Sequence, residues 1–161
     1  MLHILKVKQK RKTLKPKGAG RDAYFVAVDL LARREHSRVE LENKLIRKGF
    51  DENMVSGAMD KLIENDLQSD DRYLEDFVRS RLLKGHGPVK IIQELGQRGI
   101  EASRAGAYLD ELQIDWLEQA KSTYLKKYRE NRAIDMQEKA KRVRFMQSRG
   151  FPGDIIFRLF D

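Results

Sequence analysis

A short motif recurs along this chain with a period of about fifty residues. In each copy a basic residue is followed by glycine and a large apolar residue, and the glycines are Gly49, Gly99 and Gly150. Apolar residues also recur four residues before each glycine and one, six and nine residues after it. A fixed period of this length is typical of proteins that stack copies of one supersecondary unit. The chain is therefore predicted to be an elongated repeat protein, a shape suited to binding something long.

Each repeat carries the signals of three helices. In the first repeat Asp22, Ser37 and Asp51 are N-cap candidates, and Glu40 completes a capping box with Ser37. Glycine fits the position just after a helix end, where the backbone is left-handed. Only residues 2–8 hint at a strand. We predict an all-α fold of three tandem three-helix repeats forming an elongated curved stack, with these segments: a basic N-terminal tail at 1–21 and repeats at 22–66, 67–112 and 113–161.

Apolar residues at helical spacing indicate which side of each helix is buried. In the first repeat we expect two such sides, formed by Phe25, Val28, Leu31 and Ala32 in the first helix and by Val39, Leu41 and Leu45 in the second. The third repeat continues the pattern, and residues 131–149 are predicted to be mostly helical. Because short helices bury little surface each, we also expect some bending between repeats.

The net charge of +8 is concentrated at the N-terminus. Residues 1–21 contain eight basic and no acidic side chains, whereas the remaining 140 residues contain 25 of each. Such a tail suits a phosphate backbone or an acidic partner, and it is equally typical of a disordered solubilising arm. A transit peptide is less favoured, because the segment has no serine. The candidate DNA-contacting side chains are Lys6, Lys8, Lys10, Arg11, Lys12, Lys15 and Lys17.

The chain lacks the residue patterns of an enzyme, a metal site or a membrane protein. It has no cysteine, and no apolar run approaches the roughly 18 residues that span a bilayer. The turn at 85–88 lacks the lysine and hydroxyl residue of a phosphate-binding loop. We expect His3, His36 and His86 to be exposed turn histidines without a ligand partner. The sequence thus predicts a non-enzymatic cytoplasmic protein that needs no metal or cofactor.

Basic side chains on the helices are the remaining functional candidates. Arg81 and Lys84 share a helical face, and Arg33, Arg34 and Arg38 surround the first helix junction. Most such residues are solvated charges, and Arg47, Lys48 and Arg98 are interpreted as complements to helix C-terminal dipoles. For Arg81, an ion pair with Asp70 or Glu94 is as well supported as a contact with a partner.

Two stretches of the chain resemble the signature sequences of the RecX family, which regulates the RecA recombinase. The first is residues 31–41, Leu-Ala-Arg-Arg-Glu-His-Ser-Arg-Val-Glu-Leu, continuing to Lys44-Leu45 and Lys48-Gly49. The second contains Asp70-Asp71-Arg72-Tyr73, Arg79-Ser80-Arg81 and the turn at 84–88, and it ends at Ile100. The resemblance covers about residues 24–160 and is weaker in the third repeat. Asp66 and Gln68 differ from the glycine and apolar residue that are usual in the family.

This resemblance implies a protein that lies in the groove of the RecA filament on single-stranded DNA. There it would inhibit ATPase, strand-exchange and coprotease activities in DNA repair and recombination. The candidate recombinase-contacting residues are Arg33, Arg34, Arg38, Arg72, Arg79, Arg81 and Lys84. We expect a monomer without membrane contact. The alternative is a direct nucleic-acid-binding repeat protein, although residues 38–48 and 88–98 alternate acids with bases, unlike a DNA-reading helix. Both interpretations hold if the tail makes weak contact with DNA inside the filament.

Overall fold

The computed structural model describes residues 22–129 and 135–160. These residues form nine helices and no strands. The helices are α1 (Ala23–Leu31), α2 (Arg38–Arg47) and α3 (Glu52–Glu64) in the first repeat, α4 (Asp70–Leu83), α5 (Pro88–Gly96) and α6 (Ala102–Glu111) in the second, and α7 (Trp116–Tyr128), α8 (Met136–Ser148) and α9 (Gly153–Phe160) in the third. The helix pairs that pack most extensively all lie within one repeat. The predicted all-α fold of three tandem three-helix repeats is confirmed, while the tail at 1–21 and residues 131–134 lie outside the described residues.

Side-chain caps begin the helices of the first repeat as predicted. Asp22 accepts a hydrogen bond from the Tyr24 amide at 3.0 Å, and Ser37 Oγ accepts one from the Glu40 amide at 3.1 Å. Asp51 caps α3 in the same way. The reciprocal half of the predicted capping box does not form, because the Glu40 carboxylate pairs with Arg34 at 2.5 Å. The Glu40 side chain therefore forms an ion pair with a residue outside α2 instead of completing the capping box.

Each repeat has its own apolar core. The first is centred on Leu41, Leu45, Met59 and Leu62, all of them fully buried. The predicted buried side of α1 is correct for Val28 and Leu31, which are partly buried against the core, and wrong for Phe25 and Ala32, which are exposed. Ala23 and Ala27 face the core instead, and these small side chains let α1 pack closely on α3. Hydrophobic spacing alone does not distinguish two faces that both carry apolar residues.

The second helices of the three repeats form a row, in which the start of one meets the end of the next. The Gly87 and Val89 amides donate to the Arg149 and Gly150 carbonyls at 2.8 and 3.1 Å. One repeat earlier, Ser37 Oγ donates to the Arg98 carbonyl at 2.7 Å. Donors at the N-terminus of one helix, amides in the first case and a serine hydroxyl in the second, thus meet unpaired carbonyls at the C-terminus of another, and the two dipoles attract. We call these two contacts the repeat joints.

Two of the three recurring glycines, Gly99 and Gly150, lie in the repeat joints. Gly99 and Gly150 have φ values of +82° and +87°, in the left-handed region that favours glycine. A Cβ on Gly99 would also lie 2.4 Å from Val39 Cγ2, and one on Gly150 would lie 2.3 Å from Lys90 Cβ. This contact explains why Val39, predicted to be part of the core of its own repeat, is exposed there and covers the glycine of the next. The fifty-residue period therefore marks the joints as well as the helix ends.

The turn between the first two repeats uses the two residues that differ from the family. Asp66 adopts a left-handed backbone with φ +52°, which aspartate tolerates better than most residues. Gln68 is buried, and its amide donates to the His36 carbonyl at 3.2 Å and to Asp70 Oδ1 at 2.9 Å. Asp70 Oδ1 also accepts the Arg38 amide at 2.8 Å. A polar side chain thus replaces an apolar one without leaving a buried amide unpaired.

Candidate functional site

A groove of about 590 Å³ runs along α4 where the first two repeats meet. Five cationic side chains line it, and apolar surface is contributed by Phe77 and Leu83. The cations are Arg34, Arg79, Arg81, Lys84 and Arg98. Four of these five were predicted from the sequence as contact residues, and the fold brings them together from two repeats. We call this surface the arginine groove.

Arg81 is the most buried of the predicted contact residues in the arginine groove. Its Nε donates to Glu94 at 2.5 Å, and both side chains are about one-fifth exposed. Its guanidinium carbon lies 4.3 Å from the centre of the Phe77 ring, within cation–π distance. Of the two ion-pair partners considered from the sequence, Glu94 is correct, since the Asp70 carboxylate accepts from Gln68 and the Arg38 amide instead. Arg81 is thereby held in place while it lines the groove.

Arg98 is the groove residue that sequence reasoning missed. It was interpreted as a C-terminal cap of α5, and its Nη1 does donate to the Glu94 carbonyl at 2.6 Å. Its guanidinium carbon, however, also lies 4.9 Å from the Phe77 ring centre, and the side chain lines the groove. The repeat period was the sequence signal that could have indicated a role for Arg98, because Arg98 and Arg149 both precede a glycine of a repeat joint. Its position beside α4 depends on tertiary packing, which local sequence does not reveal.

Arg34 and Glu40 form the edge of the groove on the first repeat. Two hydrogen bonds of 3.1 and 2.5 Å join them, the bidentate geometry that suits arginine and carboxylate. The hydrogen bond that Arg34 donates to Glu40 raises the pKa of Arg34. Burial acts to raise the pKa of Glu40, but the Arg34 bond and the nearby positive charges outweigh it, so this pKa lies below its usual value. Both groups therefore stay charged at neutral pH.

The other predicted contact residues fall into two groups. Arg72 and Arg38 support the first repeat joint: Arg72 donates to Glu35 at 2.9 Å and to Asp66 at 2.8 Å, and Arg38 pairs with Glu42 beside its amide contact with Asp70. Arg33, Arg79 and Lys84 are exposed. Arg79 pairs with Asp76 on its own helix, whereas Lys84 has no ion-pair partner among residues 22–129 and 135–160.

His36 and His86 are buried, so the expectation of exposed turn histidines is wrong for both. His36 Nδ1 lies 2.9 Å from the Arg34 carbonyl, which requires a proton on Nδ1, and its Nε2 then accepts from Lys44 at 2.8 Å. Burial lowers the pKa of His36 more than the Arg34 carbonyl raises it. Burial also lowers the pKa of His86, and its Nδ1 has no hydrogen-bond partner within the described chain. His3 lies outside the described residues.

Neither a metal site nor a membrane-spanning helix occurs in the parts of the chain that the structure describes. No group of three or more potential ligand side chains converges there. No helix there is both long enough and apolar enough to cross a bilayer. The described residues thus form an all-α repeat protein with a cationic groove.

Comparison with known proteins identifies the family. Residues 23–62, 69–109 and 113–160 match, in this order, the first, second and third three-helix domains of RecX. The chain belongs to the RecX family. The three matched segments follow the three repeats of the structure, including the third repeat, where the sequence resemblance was weakest.

Named relatives and solved structures agree with this assignment. A regulatory protein RecX from Pseudomonas fluorescens is 46% identical over 133 residues, covering 83% of this chain and 86% of the relative. One from Ectopseudomonas mendocina is 45% identical and is covered to 89%. The crystal structure of RecX from Lactobacillus salivarius superposes with a TM-score of 0.70 at 28% identity, covering 85% of this chain and 91% of the other. These relatives are named regulatory proteins, which agrees with the expectation of a non-enzymatic role.

Proposed function

We propose that this protein binds a RecA-type recombinase filament on single-stranded DNA and inhibits its ATPase, strand-exchange and coprotease activities. It acts as a monomer in the cytoplasm, and regulation comes from binding rather than from catalysis. Membership of a family of regulatory proteins supports the role. The repeat architecture supports the partner, because repeats in series match successive subunits of a helical polymer. Several modest contacts on one chain then act at high effective concentration.

The arginine groove is the observation that carries this proposal. It collects cations from two repeats beside apolar surface, a composition that is typical of protein interfaces. The groove also lies directly at the first repeat joint, so its shape depends on the relative placement of two repeats. A partner that binds there is sensitive to the form of the whole stack rather than to one helix.

The test is the DNA-dependent ATPase of the recombinase from the same host, measured with increasing amounts of this protein. We expect inhibition at substoichiometric protein, because one bound chain spans more than one filament subunit. A rate that stays constant up to equimolar protein, under conditions where filaments form, would disprove the proposal. Strand exchange measured in parallel checks that inhibition concerns the filament and not the ATPase assay.

A pair of exposed groove cations tests the location of the contact. The double variant Arg79→Ala/Lys84→Ala removes two exposed charges that make no hydrogen bond between repeats through their side chains. We expect it to inhibit about ten-fold less, with an unchanged melting temperature. The matched control is Lys61→Ala/Lys121→Ala, which removes two exposed helical lysines that do not line the groove. Equal inhibition by both double variants would exclude this part of the groove from the interface.

Direct contact with single-stranded DNA is the second candidate function, and one cluster in the third repeat favours it. Lys127 Nζ lies 4.0 Å from the Phe145 ring centre, and the Arg142 guanidinium carbon lies 4.5 Å from that of Tyr128. Residues 113–161 contain 11 basic and 7 acidic side chains. Cations beside aromatic rings suit a flexible strand, whose bases stack on rings while its phosphates meet the charges.

Salt dependence separates this candidate from the recombinase contact. We expect the full chain to bind an oligothymidylate with an affinity that falls steeply with salt, because counterions are released from the phosphates. Removing residues 1–21 tests whether the eight basic side chains of the tail contribute. An unchanged affinity and salt slope after truncation would exclude the tail as the DNA contact and leave the third repeat to be tested by Lys127→Ala.

A further inference from the structure

Two guanidinium groups in the arginine groove rest on the same aromatic ring and are fixed to the same acidic residue. Arg81 and Arg98 lie 4.3 and 4.9 Å from the Phe77 ring centre. Arg81 Nε donates to the Glu94 carboxylate, and Arg98 Nη1 donates to the Glu94 main-chain carbonyl. Both long side chains are thus ordered before any partner arrives, which reduces the entropy lost on binding.

The two guanidiniums keep hydrogen-bond donors for a partner. Each has five N–H donors, and the bonds to Glu94 occupy one nitrogen of each group. Neither Nη of Arg81 has a hydrogen-bond partner among the described residues, and Arg98 has no carboxylate partner there. Two cations therefore share one acidic residue, which leaves positive charge and unused donors in the residues that line the groove.

We infer that Arg81 and Arg98 bind carboxylates of an acidic protein segment, whose neighbouring apolar side chain packs on Leu83. The inference rests on the proposed function and specifies the chemistry of the partner at that site. Guanidinium and carboxylate form short, strong hydrogen bonds of fixed geometry. Leu83 lies two residues after Arg81 on α4, lines the same groove and is 77% exposed, so it offers apolar surface beside the cations.

The lining of the groove favours a protein carboxylate over the phosphates of a nucleic acid. Glu35, Glu40 and Asp76 are among its lining residues, so the cations alternate with fixed negative charges. A nucleic-acid strand would carry one phosphate charge per nucleotide past these acids and be repelled. A segment with one or two carboxylates separated by apolar side chains matches the pattern.

Side-chain NMR of the purified chain tests the chemistry without the recombinase. The probes are N-acetyl-Glu-Leu-Glu-Leu-amide, the same peptide with glutamine in place of glutamate, and a thymidine octanucleotide. We expect only the acidic peptide to shift the Nε signals of Arg81 and Arg98 together with the Leu83 methyl signals. Three results would overturn the inference: shifts by both peptides alike, shifts by neither, or stronger shifts of the same signals by the octanucleotide.

Filament binding by groove variants completes the test. We expect Arg98→Gln and Leu83→Ser each to weaken binding to a recombinase filament about ten-fold or more. Arg98→Lys should bind with an affinity between those of the wild type and Arg98→Gln, since lysine keeps the charge but not the planar guanidinium. Lys61→Gln is the control. The unfolding midpoint of each variant is measured as well. Because Leu83 is exposed, Leu83→Ser should remain folded and still tests the groove if Arg98→Gln is unstable. Wild-type affinity in all groove variants would overturn the inference and leave the proposed function standing. A wild-type chain that takes the acidic peptide but no filament would overturn the proposed function alone.

Discussion

Substituting alanine in the second repeat joint tests whether the joint holds the repeats together. At Gly150 the backbone has φ +87°, and a Cβ there would lie 2.5 Å from the Lys90 amide nitrogen as well as 2.3 Å from Lys90 Cβ. Backbone atoms cannot move aside as a side-chain tip can. We therefore expect Gly150→Ala to separate the joint and break the bonds from the Gly87 and Val89 amides.

The expected cost follows from these two contributions. A left-handed conformation costs a residue with a Cβ about 1–2 kcal/mol, and each lost hydrogen bond costs about 0.5–1.5 kcal/mol. Gly150→Ala should therefore lower the free energy of unfolding by about 2–5 kcal/mol. Gly87→Ala isolates the second contribution, because Gly87 has an ordinary φ of −88° but would place a Cβ 2.4 Å from the Gly150 carbonyl oxygen. We expect it to cost about 1–3 kcal/mol.

Denaturant unfolding and amide hydrogen exchange measure the two effects separately. The Gly87 and Val89 amides should lose protection in Gly150→Ala even under conditions where the helices remain folded. Gly106→Ala is the control: no atom lies within 4 Å of a Cβ at this helical position, so the variant should gain about 0.5–1 kcal/mol. Slow exchange of both amides in Gly150→Ala, with a wild-type unfolding midpoint, would refute the role assigned to the joint.

Three further outcomes are expected. Arg72→Ala should lower the free energy of unfolding by about 1–2 kcal/mol, because it leaves a partly buried glutamate unpaired. Arg79→Ala removes one partner of an exposed ion pair and should change this free energy by less than about 0.5 kcal/mol. Equal losses for the two variants in urea titrations would contradict this expectation. Burial lowers the pKa of His36 and His86, so below the unfolded value of about 6.5 the unfolded chain binds more protons and stability falls as the pH falls. The free energy of unfolding should change by at most about 1.4 kcal/mol per pH unit for each histidine. This pH dependence should disappear in the His36→Asn/His86→Asn variant when unfolding is measured from pH 7.5 to pH 5. Removing residues 1–21 should leave cooperative thermal unfolding unchanged, and a large loss of melting temperature would show that the tail belongs to the fold.

The local features of this fold were predictable because they depend on neighbouring residues. N-caps are set by residues two or three positions apart, and the left-handed glycine depends only on its own backbone. The period of about fifty residues added the number of repeats, since three copies of one motif at nearly equal spacing indicate three copies of one structural unit. These features determine the fold class and the helix starts without any knowledge of packing.

The features that were missed depend on contacts between distant residues. Ser37 and the Arg98 carbonyl are 61 positions apart, and neither residue type marks a joint by itself. The burial of His36 follows from its place beneath this joint, where the Gln68 amide reaches its carbonyl. Arg98 likewise enters the arginine groove only because α5 packs beside α4. For the groove as a whole, the sequence predicted most of the cations but not the aromatic ring on which two of them rest.

The three second helices differ in how their first amides are satisfied. α5 has no side-chain cap and relies on the carbonyls of the third repeat, and Ser37 at the start of α2 bonds both to its own helix and to the second repeat. At the start of α8, by contrast, Asp135 accepts the Glu138 amide at 2.7 Å. Asp135 caps the donor end of α8, and its negative charge repels an incoming carbonyl. We therefore expect an extra copy of residues 67–112, placed before residue 113, to form joints on both sides and lengthen the array. A copy added after residue 161 should form no joint with the start of α8.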